Sequence, residues 1–441
     1  MNNRFINPSG FAENLPAAQI LEDGLKAEFA TIAESFGYTH LETASVEYMD
    51  TLASKGDVSK EIYTIGRALG EGEESTESAR GLHFDLTVPF ARYVAQHQGQ
   101  LDFPYRRYQV QKVWRGERPQ KGRFREFYQA DIDVVGQGTL ALEFDAEVAL
   151  TMGQILDSFN IGGMTMHINN RKFLSGLLAQ YGINSEDTLH AIDKLDKIGK
   201  EAVIEKICSE HGVTADSLTD LFTIFASHVA ASDVSAYLET INGDNELLAE
   251  GKRELTRVFA LLAQNPTFEN VSFVFSPAIA RGLDYYTGTV YETTINGLEK
   301  YGSICSGGRY AELASRFTTQ QLPGVGLSIG LTRLMSIITS EDLIALDRTS
   351  PSEVGLCMLQ TEQETATLET AHVLRRNGFN VEIDYRTEAG LGKQLTVLEK
   401  KGIPFAVICE ADGWFTVCNL ATTAKQKVAS IEEVITLVTI I

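Results

Sequence analysis

A basic stretch within an acidic chain limits the fold more than any other feature of this sequence. Between Tyr105 and Arg125 there are eight basic residues and one acidic residue, although the 441-residue chain has a formal net charge of −21. Side-chain character alternates with a period of two on both sides of residues 116–122, which contain two glycines and a proline. The alternation predicts two strands, and the glycines and proline predict the turn between them. We therefore expect an antiparallel hairpin.

One face of the predicted hairpin carries an ordered series of chemical groups. A guanidinium group matches phosphate oxygens through two parallel hydrogen bonds, and an aromatic ring can stack on a base. An amide and a carboxylate four residues apart can hold a small polar or cationic group. The alternative is a solvated basic hairpin with ordinary charge pairs. The order of the groups favours an anion site, and the residues of the second strand on this face are Arg123, Arg125, Phe127, Gln129, Asp131 and Asp133.

Composition indicates a globular protein of two or three domains, with 44% hydrophobic and 22% charged residues. No apolar run is long enough to span a membrane, and the N-terminus has no apolar signal core, so we expect neither insertion nor secretion. The five cysteines form no CxxC pair and the eight histidines no HExxH pattern. These spacings predict no disulfide framework, no metal site formed by protein ligands, and a reducing cytoplasm.

Three segments resemble the signature motifs of one enzyme family. Residues 115–129, RGERPQKGRFREFYQ, resemble motif 2 of class II aminoacyl-tRNA synthetases, in the form found in histidyl-tRNA synthetases. Residues 281–292, RGLDYYTGTVYE, resemble the histidine-recognition signature of that family, and residues 324–333, GVGLSIGLTR, resemble motif 3. The chain contains no GxxxxGK[ST] sequence, so a P-loop nucleotide site is not predicted.

The N-terminal region resembles motif 1, which forms the dimer interface in that family. Apolar residues repeat at three to four positions through residues 15–36, and residues 38–47 alternate as in a strand. The proline that usually follows the acidic residue of this strand is absent from residues 43–45. The resemblance implies a homodimer.

The resemblance implies an α/β fold whose catalytic core is α+β, with an antiparallel sheet flanked by helices. Strands and helices alternate in the last ninety or so residues, which predicts a separate α/β domain, and the resemblance implies that this domain binds the anticodon. The expected domains are residues 1–168 and 271–340 for the catalytic core, 169–270 for a helical insertion, and 351–441 for the anticodon-binding domain.

The implied activity is ligation of L-histidine to tRNA(His), with ATP and Mg²⁺ bound to ATP, through a histidyl-adenylate. Arg115 and Arg281 are the implied catalytic pair, on opposite sides of the α-phosphate. Glu117 is assigned to the adenine amino group and Arg123 to the γ-phosphate. The complete set that the resemblance assigns to ATP is Arg115, Glu117, Arg123, Phe127 and Arg333.

A second implied set binds histidine. A carboxylate suits an ammonium group, and the resemblance assigns the amino group of histidine to the segment that contains Asp85 and Thr87. From the residues alone, either of these side chains can instead cap the helix that follows. Likewise, Arg281 can form a salt bridge, and a tyrosine pair can be one buried and one exposed ring. The residues that the resemblance assigns to histidine are Asp85, Thr87, Gln129, Asp133, Tyr285 and Tyr286.

Two other functions remain open at this point. One is a non-catalytic, synthetase-like regulatory subunit of ATP phosphoribosyltransferase that senses histidine. Such subunits typically lose motif 2 and the arginine corresponding to Arg281, and they lack the C-terminal domain; this chain retains all three. The other is a nucleotide-binding module without transfer activity.

Overall fold

The structure, a computed structural model, divides into two compact units, Met1–Ala12 with Leu25–Leu343, and Glu13–Gly24 with Ile344–Ile441. Within the described ranges, no helix is long and apolar enough to cross a membrane. The domain boundaries expected from the sequence remain a prediction. The residues that the structure describes are 6–53, 61–66, 79–120, 122–184, 186–243, 245–265, 268–280, 286–311, 314–315 and 317–439.

Twelve of the assigned strands belong to the larger unit. They are β1 Thr39–His40, β2 Val46–Tyr48, β3 Thr64–Ile65, β4 Arg80–Leu82, β5 Tyr105–Trp114, β6 Glu126–Val135, β7 Met164–Asn170, β8 Val229–Ala230, β9 Val271–Phe275, β10 Tyr286–Ile295, β11 Cys305–Tyr310 and β12 Gly324–Gly330. Nine of them form one sheet in the order β1-β5-β6-β12-β11-β10-β7-β9-β8, and the other three form a sheet in the order β2-β4-β3.

The first twelve assigned α-helices lie before residue 343. They are α1 Pro16–Ser35, α2 Met49–Leu52, α3 Thr87–His97, α4 Glu143–Ser158, α5 Arg171–Ala179, α6 Glu186–Ile192, α7 Leu195–Ile198, α8 Lys200–His211, α9 Thr219–Phe225, α10 Val234–Thr240, α11 Glu246–Ala263 and α12 Leu331–Ser340. Seven consecutive helices, α5 to α11, lie between β7 and β9, in agreement with the helical character expected of this segment.

The basic stretch forms the hairpin that its alternation predicts. Strands β5 and β6 pair antiparallel over ten residues each, from Tyr105 opposite Val135 to Trp114 opposite Glu126. Strand β6 continues the sheet by pairing antiparallel with β12, and β12 pairs antiparallel with β11. The glycine-rich strand is therefore the direct neighbour of the hairpin.

Period-two alternation gives this part of the sheet one apolar and one polar face. Ile132 and Val134 on β6, and Leu327 on β12, are buried, and helices α4 and α12 pack against these two strands. Asp131 and Asp133 alternate with those apolar residues and therefore point to the opposite face. The polar face is the one on which the sequence places the candidate ligands.

The prediction of a single strand over residues 38–47 is wrong. The structure has β1 and β2 in its place, and these belong to different sheets. Residues between them are held by side chains of β5: the Gln109 amide donates to Thr43 Oγ1 at 3.1 Å, and the Gln111 amide donates to the Thr43 carbonyl at 3.2 Å and to Ser45 Oγ at 3.1 Å. These side-chain contacts replace a continuous backbone ladder.

The smaller unit contains the alternating strands and helices that its pattern predicts. Its sheet has the order β14-β13-β15-β16-β17, with β13 parallel to both β14 and β15. Its buried core includes Val354, Leu356, Leu374, Val407 and Val434. The elements are β13 Val354–Cys357, α13 Glu364–Arg376, β14 Val381–Asp384, α14 Leu391–Lys400, β15 Phe405–Cys409, β16 Phe415–Asn419, β17 Lys425–Val428 and α15 Ile431–Val438.

Candidate functional site

A cavity of about 280 Å³ lies in the larger unit, on the polar face of the nine-stranded sheet. Its walls come from β6, the β5–β6 loop, the segment entering β11, the end of β12 and the first turn of α12. The lining residues are Arg115, Glu117, Gly122, Arg123, Phe124, Phe127, Gln129, Ser303, Ile304, Cys305, Ser306, Ser328, Gly330 and Arg333.

The cavity brings together every residue that the sequence assigns to ATP, with Gln129 from the histidine set. Asp85, Thr87, Asp133 and Tyr286 are not among the lining residues. Arg281 and Tyr285 lie outside the described residues, so the expected approach of Arg115 and Arg281 remains a prediction.

Arg115 is fixed at the wall of the cavity by the loop that precedes α3. Its Nε donates a hydrogen bond to the Phe84 carbonyl at 3.0 Å, and its guanidinium carbon lies 5.1 Å from the centre of the Phe127 ring. Its backbone N–H donates to the Arg125 carbonyl across the hairpin at 2.9 Å. Among the described residues, the guanidinium group is therefore held by a backbone carbonyl and an aromatic ring, an arrangement suited to an anionic ligand.

Two further arginines line the cavity. Arg333, in the first turn of α12, donates from Nη1 to the Ser303 carbonyl at 2.9 Å and from Nη2 to the Tyr301 carbonyl. Arg123 lies in the β5–β6 loop with Nη1 3.5 Å from a Glu117 carboxylate oxygen. Half of the Arg123 side chain is exposed to solvent, so this long ion pair leaves the guanidinium accessible to a ligand.

A buried ion cluster extends the polar face away from the cavity. Arg107 on β5 is fully buried; its Nη2 lies 2.7 Å from Asp133 Oδ2 and 3.9 Å from Asp131 Oδ2. The Tyr310 hydroxyl donates to Asp133 at 3.1 Å, and the Arg107 guanidinium lies 4.3 Å from the centre of the Phe90 ring. Burial raises the pKa of Asp131 to about 7, although the nearby Arg107 opposes this shift.

The sequence alone indicates no role for Arg107 or Asp131. Strand alternation places Asp131 on the same face as Gln129 and Asp133, but it does not show which residue of β5 stands opposite them. Arg107 stands opposite Asp133 in the hairpin register. Once that register is known, a cation directly opposite Asp133 and diagonal to Asp131 follows.

The loop before α3 shows the helix-capping contact that the sequence left open. Asp85 is buried, and its Oδ1 accepts a hydrogen bond from the Val88 backbone N–H at 3.1 Å, in the first turn of α3. Thr87 is the first residue of that helix. The Leu86 carbonyl accepts from Arg107 Nη2 at 3.4 Å, so the buried arginine connects this loop to β5.

Tyr286 begins β10, opposite Tyr310 of β11. A Cβ atom at Gly308 would lie 2.8 Å from the Tyr286 ring, a separation shorter than van der Waals contact. The absence of a side chain at Gly308 therefore allows the ring to lie against the β11 backbone.

Gly326 on β12 provides a test of how tightly the buried ion cluster is packed. A Cβ atom there would lie 2.1 Å from Asp133 Oδ1 and 2.7 Å from the Ile132 carbonyl oxygen. Because overpacking forces such atoms apart, we expect Gly326→Ala to lower the free energy of unfolding by about 1–3 kcal/mol. Urea denaturation measures this change.

Gly99→Ala is the matched control, because within the described chain an added Cβ there meets no heavy atom within 4 Å. The control is expected to change the free energy of unfolding by no more than about 0.5 kcal/mol. Equal stability of the two variants would contradict the close packing of Asp133 against β12.

The larger unit, with its antiparallel-rich sheet, flanking helices and polar-face cavity, has the fold of the catalytic core of class II aminoacyl-tRNA synthetases. A family model described as histidyl-tRNA synthetase matches residues 10–334, and a model described as an anticodon binding domain matches residues 353–439. The chain belongs to the histidyl-tRNA synthetase family.

Individual relatives are similar to this chain over nearly its full length. The chain is 44% identical to a histidine–tRNA ligase of Thermobifida fusca (strain YX), over 91% of this chain and 92% of the relative. It is 36% identical to that of Clostridium tetani (strain Massachusetts / E88), over 99% of both chains. The crystal structure of histidyl-tRNA synthetase from Nostoc sp. PCC 7120 has a TM-score of 0.88 and 36% identity, covering 98% of this chain and 99% of that one.

A more distant structure shares the fold alone. It is described as an ATP phosphoribosyltransferase regulatory subunit/histidyl-tRNA synthetase from Bacillus halodurans C. Its TM-score is 0.71 with 21% identity, over 89% of this chain and 96% of that one. The resemblance to a regulatory subunit is therefore limited to architecture.

Proposed function

We propose that this protein ligates L-histidine to tRNA(His) in two steps, through a histidyl-adenylate, with release of pyrophosphate and then AMP. The observation that carries the proposal is one cavity lined by Arg115, Arg123, Phe127, Gln129 and Arg333. These side chains supply cationic groups for phosphates, a ring for a base and an amide for a polar substrate. Membership of the histidyl-tRNA synthetase family supports histidine as the amino acid.

ATP is assigned to the part of the cavity nearest the β5–β6 loop. Arg115 binds the α-phosphate and Arg123 the γ-phosphate, because a guanidinium group pairs well with phosphate oxygens. The adenine lies between Phe127 and Arg333, where ring and guanidinium planes both stack on a base. Glu117 accepts a hydrogen bond from the adenine amino group.

Histidine is assigned to the side of the site toward α3 and β10. Asp85, Thr87 and Gln129 bind its amino group, and a carboxylate and an amide oxygen both suit an ammonium donor. Asp133 and Tyr286 bind the imidazole, and Tyr285 completes the pocket. The buried ion cluster supports this assignment, because Asp133 lies on the same strand face as Gln129, four residues farther along β6.

The first step requires positioning and charge stabilisation rather than a protein nucleophile. An oxygen of the histidine carboxylate forms a bond to the α-phosphorus, and the bond from that phosphorus to the bridging oxygen breaks as pyrophosphate leaves. Arg115 and Arg281 stabilise the charge that develops on the α-phosphate. In the second step, a hydroxyl oxygen of the terminal ribose of tRNA forms a bond to the histidyl carbonyl carbon, and the bond from that carbon to the phosphate oxygen breaks. The hydroxyl proton passes to a phosphate oxygen of the adenylate, and AMP leaves.

Magnesium is assigned to ATP rather than to a protein cage. The described cavity lining includes one carboxylate, Glu117, and a magnesium site usually combines one or two carboxylates with phosphates and water. Among the described residues, no group of three or more histidine, cysteine or acidic side chains is placed to hold a metal ion. No step is assigned to the ion.

We also propose a homodimer located in the cytoplasm. The resemblance of the N-terminal region to motif 1 supports the dimer. All five cysteines are free thiols, of which Cys305, Cys357, Cys409 and Cys418 are buried, and free thiols are typical of a reducing compartment.

Phe127→Ala tests the adenine position. Loss of base stacking typically costs about 1–3 kcal/mol, so we expect KM for ATP to rise by about 5- to 150-fold, with a much smaller change in KM for histidine. Steady-state pyrophosphate exchange measures both constants. Phe127→Tyr keeps the ring and should remain close to wild type; an alanine variant with an unchanged KM for ATP would contradict the stacking role.

The function itself is tested by charging purified tRNA(His) with labelled histidine and ATP. We expect histidyl-tRNA to accumulate. A protein that binds histidine but neither forms the adenylate nor charges tRNA would instead be a sensor, like the regulatory-subunit alternative. A protein that binds ATP without histidine would be a nucleotide-binding module.

A further inference from the structure

A buried asparagine holds the chain just before the segment that resembles the histidine-recognition signature. Asn169 lies near the end of β7, and its side chain is completely buried. Its Nδ2 donates two hydrogen bonds, one to the Pro277 carbonyl and one to the Ile279 carbonyl, each at 2.8 Å. Arg281 follows Ile279 by two residues. The asparagine therefore fixes the backbone that leads to one of the two arginines assigned to the α-phosphate.

The contact requires an amide at position 169. A carbonyl oxygen only accepts hydrogen bonds, so the atom that faces the two carbonyls must be the NH₂ group, whose two protons serve one carbonyl each. The other end of the amide, Oδ1, is buried, and among the described residues no donor lies within hydrogen-bond distance of it. A buried acceptor without a donor costs free energy. The presence of Asn169 is therefore better explained by the backbone that it holds than by the stability of its own surroundings.

The same short turn is also held at its beginning, by Ser276. The Ser276 N–H donates to the Ile168 carbonyl of β7 at 3.0 Å, and the Ile279 N–H donates to the Ser276 carbonyl at 3.1 Å, which closes the turn. Ser276 Oγ lies 2.8 Å from His167 Nδ1 and 3.0 Å from His228 Nδ1. The turn is therefore held against β7 at both of its ends.

Asn169 lies on the same face of the sheet as the cavity and the buried ion cluster. Across the sheet it stands opposite Val290 of β10, which stands opposite Gly308 of β11. Gly308 stands opposite Gly326 of β12, which stands opposite Asp133 of β6. Residues directly opposite each other in paired strands share a face, so the carbonyls that Asn169 holds lie over the polar face.

Residues 281–285 lie outside the described residues, but the chain is fixed on each side of them. Before them, Asn169 holds Ile279; after them, Tyr286 begins β10, where its ring lies against the backbone of β11. Two residues span at most about 7 Å, so the position of the Ile279 backbone limits where the Arg281 backbone can lie. Loss of the Asn169 hydrogen bonds would widen that range.

We propose that Asn169 is a positioning residue for Arg281: its two hydrogen bonds hold the backbone so that the arginine stabilises the charge that develops on the α-phosphate. This inference rests on the proposed function and deepens it, because it identifies what places the second arginine of the pair. Asn169 is not among the residues that line the described cavity, and it acts only through the backbone of residues 277–279.

Two substitutions remove these hydrogen bonds in different ways. Asn169→Leu keeps a branched side chain of similar size but leaves both carbonyls without a donor. Asn169→Ala leaves a small space in which water can donate to the carbonyls, so we expect the alanine variant to be the more stable of the two. Neither leucine nor water holds the turn as an amide fixed to β7 does. Circular dichroism and thermal unfolding show whether each variant is folded.

Histidine-dependent ATP–pyrophosphate exchange measures the effect on the reaction. Displacement of a positioned group by about 1 Å can cost about 10²-fold in rate, so we expect kcat to fall by about 10- to 100-fold in both variants. KM for ATP and KM for histidine should each change by less than about threefold, because the lost stabilisation belongs to the transition state.

A double-mutant cycle with Arg281→Ala separates positioning from a general structural effect. Arg281→Ala alone should lower the rate by about 10²- to 10³-fold, the usual effect of losing a preorganised donor. Because Asn169 acts through Arg281, adding Asn169→Ala to that variant should lower the rate by no more than about a further twofold. A general structural effect would instead multiply the two losses.

Ser276→Ala loosens the same turn and leaves Asn169 in place. It removes the hydroxyl group beside His167 and His228 but keeps the backbone hydrogen bond to Ile168. We expect the same kinetic pattern with a smaller loss, about 3- to 10-fold in kcat, the effect of one hydrogen bond. In the Arg281→Ala background, this substitution should also cause no further loss.

Two other asparagines provide matched controls. Asn265 is exposed and donates from Nδ2 to the Leu261 carbonyl at 2.7 Å, so Asn265→Ala should keep the wild-type kcat and Tm. Asn170 is the next residue of β7, points to the opposite face, and caps α5 by accepting from the Lys172 N–H. Asn170→Ala should lower Tm through loss of the cap but keep the wild-type kcat.

The outcomes separate this inference from the proposed function. Wild-type kcat in every folded variant of Asn169 and Ser276 overturns the positioning role and leaves the proposed function intact. Multiplied losses in the cycle, or an equal fall of kcat in Asn170→Ala, also overturn it, because they indicate a structural effect. A wild-type rate in Arg281→Ala removes Arg281 from the α-phosphate and this inference with it. A wild-type protein without histidine-dependent exchange overturns the proposed function itself.

Discussion

Arg115→Ala is expected to lower the rate of histidine-dependent ATP–pyrophosphate exchange by about 10²- to 10³-fold, the usual effect of removing one preorganised donor that stabilises charge in a transition state. Arg115 is held at the cavity wall by the Phe84 carbonyl and lies 5.1 Å from the Phe127 ring centre. We expect most of the loss in kcat, because the α-phosphate charge develops during the reaction.

Arg257→Ala is the control for Arg115. Arg257 forms an ion pair with Glu143 at 2.8 Å, and about half of each side chain is exposed. Exposed pairs of this kind contribute little to stability, so the control should exchange at the wild-type rate. Arg115→Lys keeps the charge but loses the planar fork and should fall between wild type and alanine. A near-wild-type rate for Arg115→Ala would exclude Arg115 from the reaction.

Arg107→Met is expected to lower the free energy of unfolding of the larger unit by about 3–5 kcal/mol, because removal of one partner leaves buried charge without compensation. Asp131 and Asp133 are both almost completely buried beside Arg107. Adding Asp131→Asn to Arg107→Met removes one of the two uncompensated carboxylates, so the double variant should be more stable than Arg107→Met alone. Denaturation of the four proteins of this cycle gives the coupling free energy.

Arg106→Met is the matched control for the buried arginine. Arg106 is the preceding residue on β5, points to the other face of the hairpin, and pairs with Glu147 at 2.7 Å with both side chains partly exposed. Its loss should cost no more than about 1 kcal/mol. If Arg106→Met and Arg107→Met were equally stable, the buried cluster would not contribute as described.

The sequence alone was sufficient to predict the hairpin and many of the residues that line the cavity, because both depend on the order of residues within short segments. Period-two alternation determines which side chains share a strand face, and it places Phe127 and Gln129 together. The place of Arg333 in the site could be predicted only from the motif resemblance, because this residue lies on a helix about two hundred residues later in the chain. The structure brings these three residues into one cavity.

The features that the sequence did not predict depend on strand register and on pairing between strands that are distant in the chain. Arg107 meets Asp133 only because β5 and β6 pair in one register, and Ser328 meets Asp131 only because β12 lies beside β6. Alternation is visible in the chain, but register is not. The prediction of a strand over residues 38–47 was wrong for a related reason. Side chains of β5, rather than a continuous ladder of backbone hydrogen bonds, hold that segment.

The central claim is that this cavity activates histidine with ATP. Pyrophosphate exchange measured with each of the twenty amino acids in turn, by the wild-type protein and by Arg115→Ala, tests it most directly. We predict that histidine alone supports exchange in the wild type and that the arginine variant loses this activity. Exchange with a different amino acid, or histidine-dependent exchange that survives in Arg115→Ala, would contradict the account.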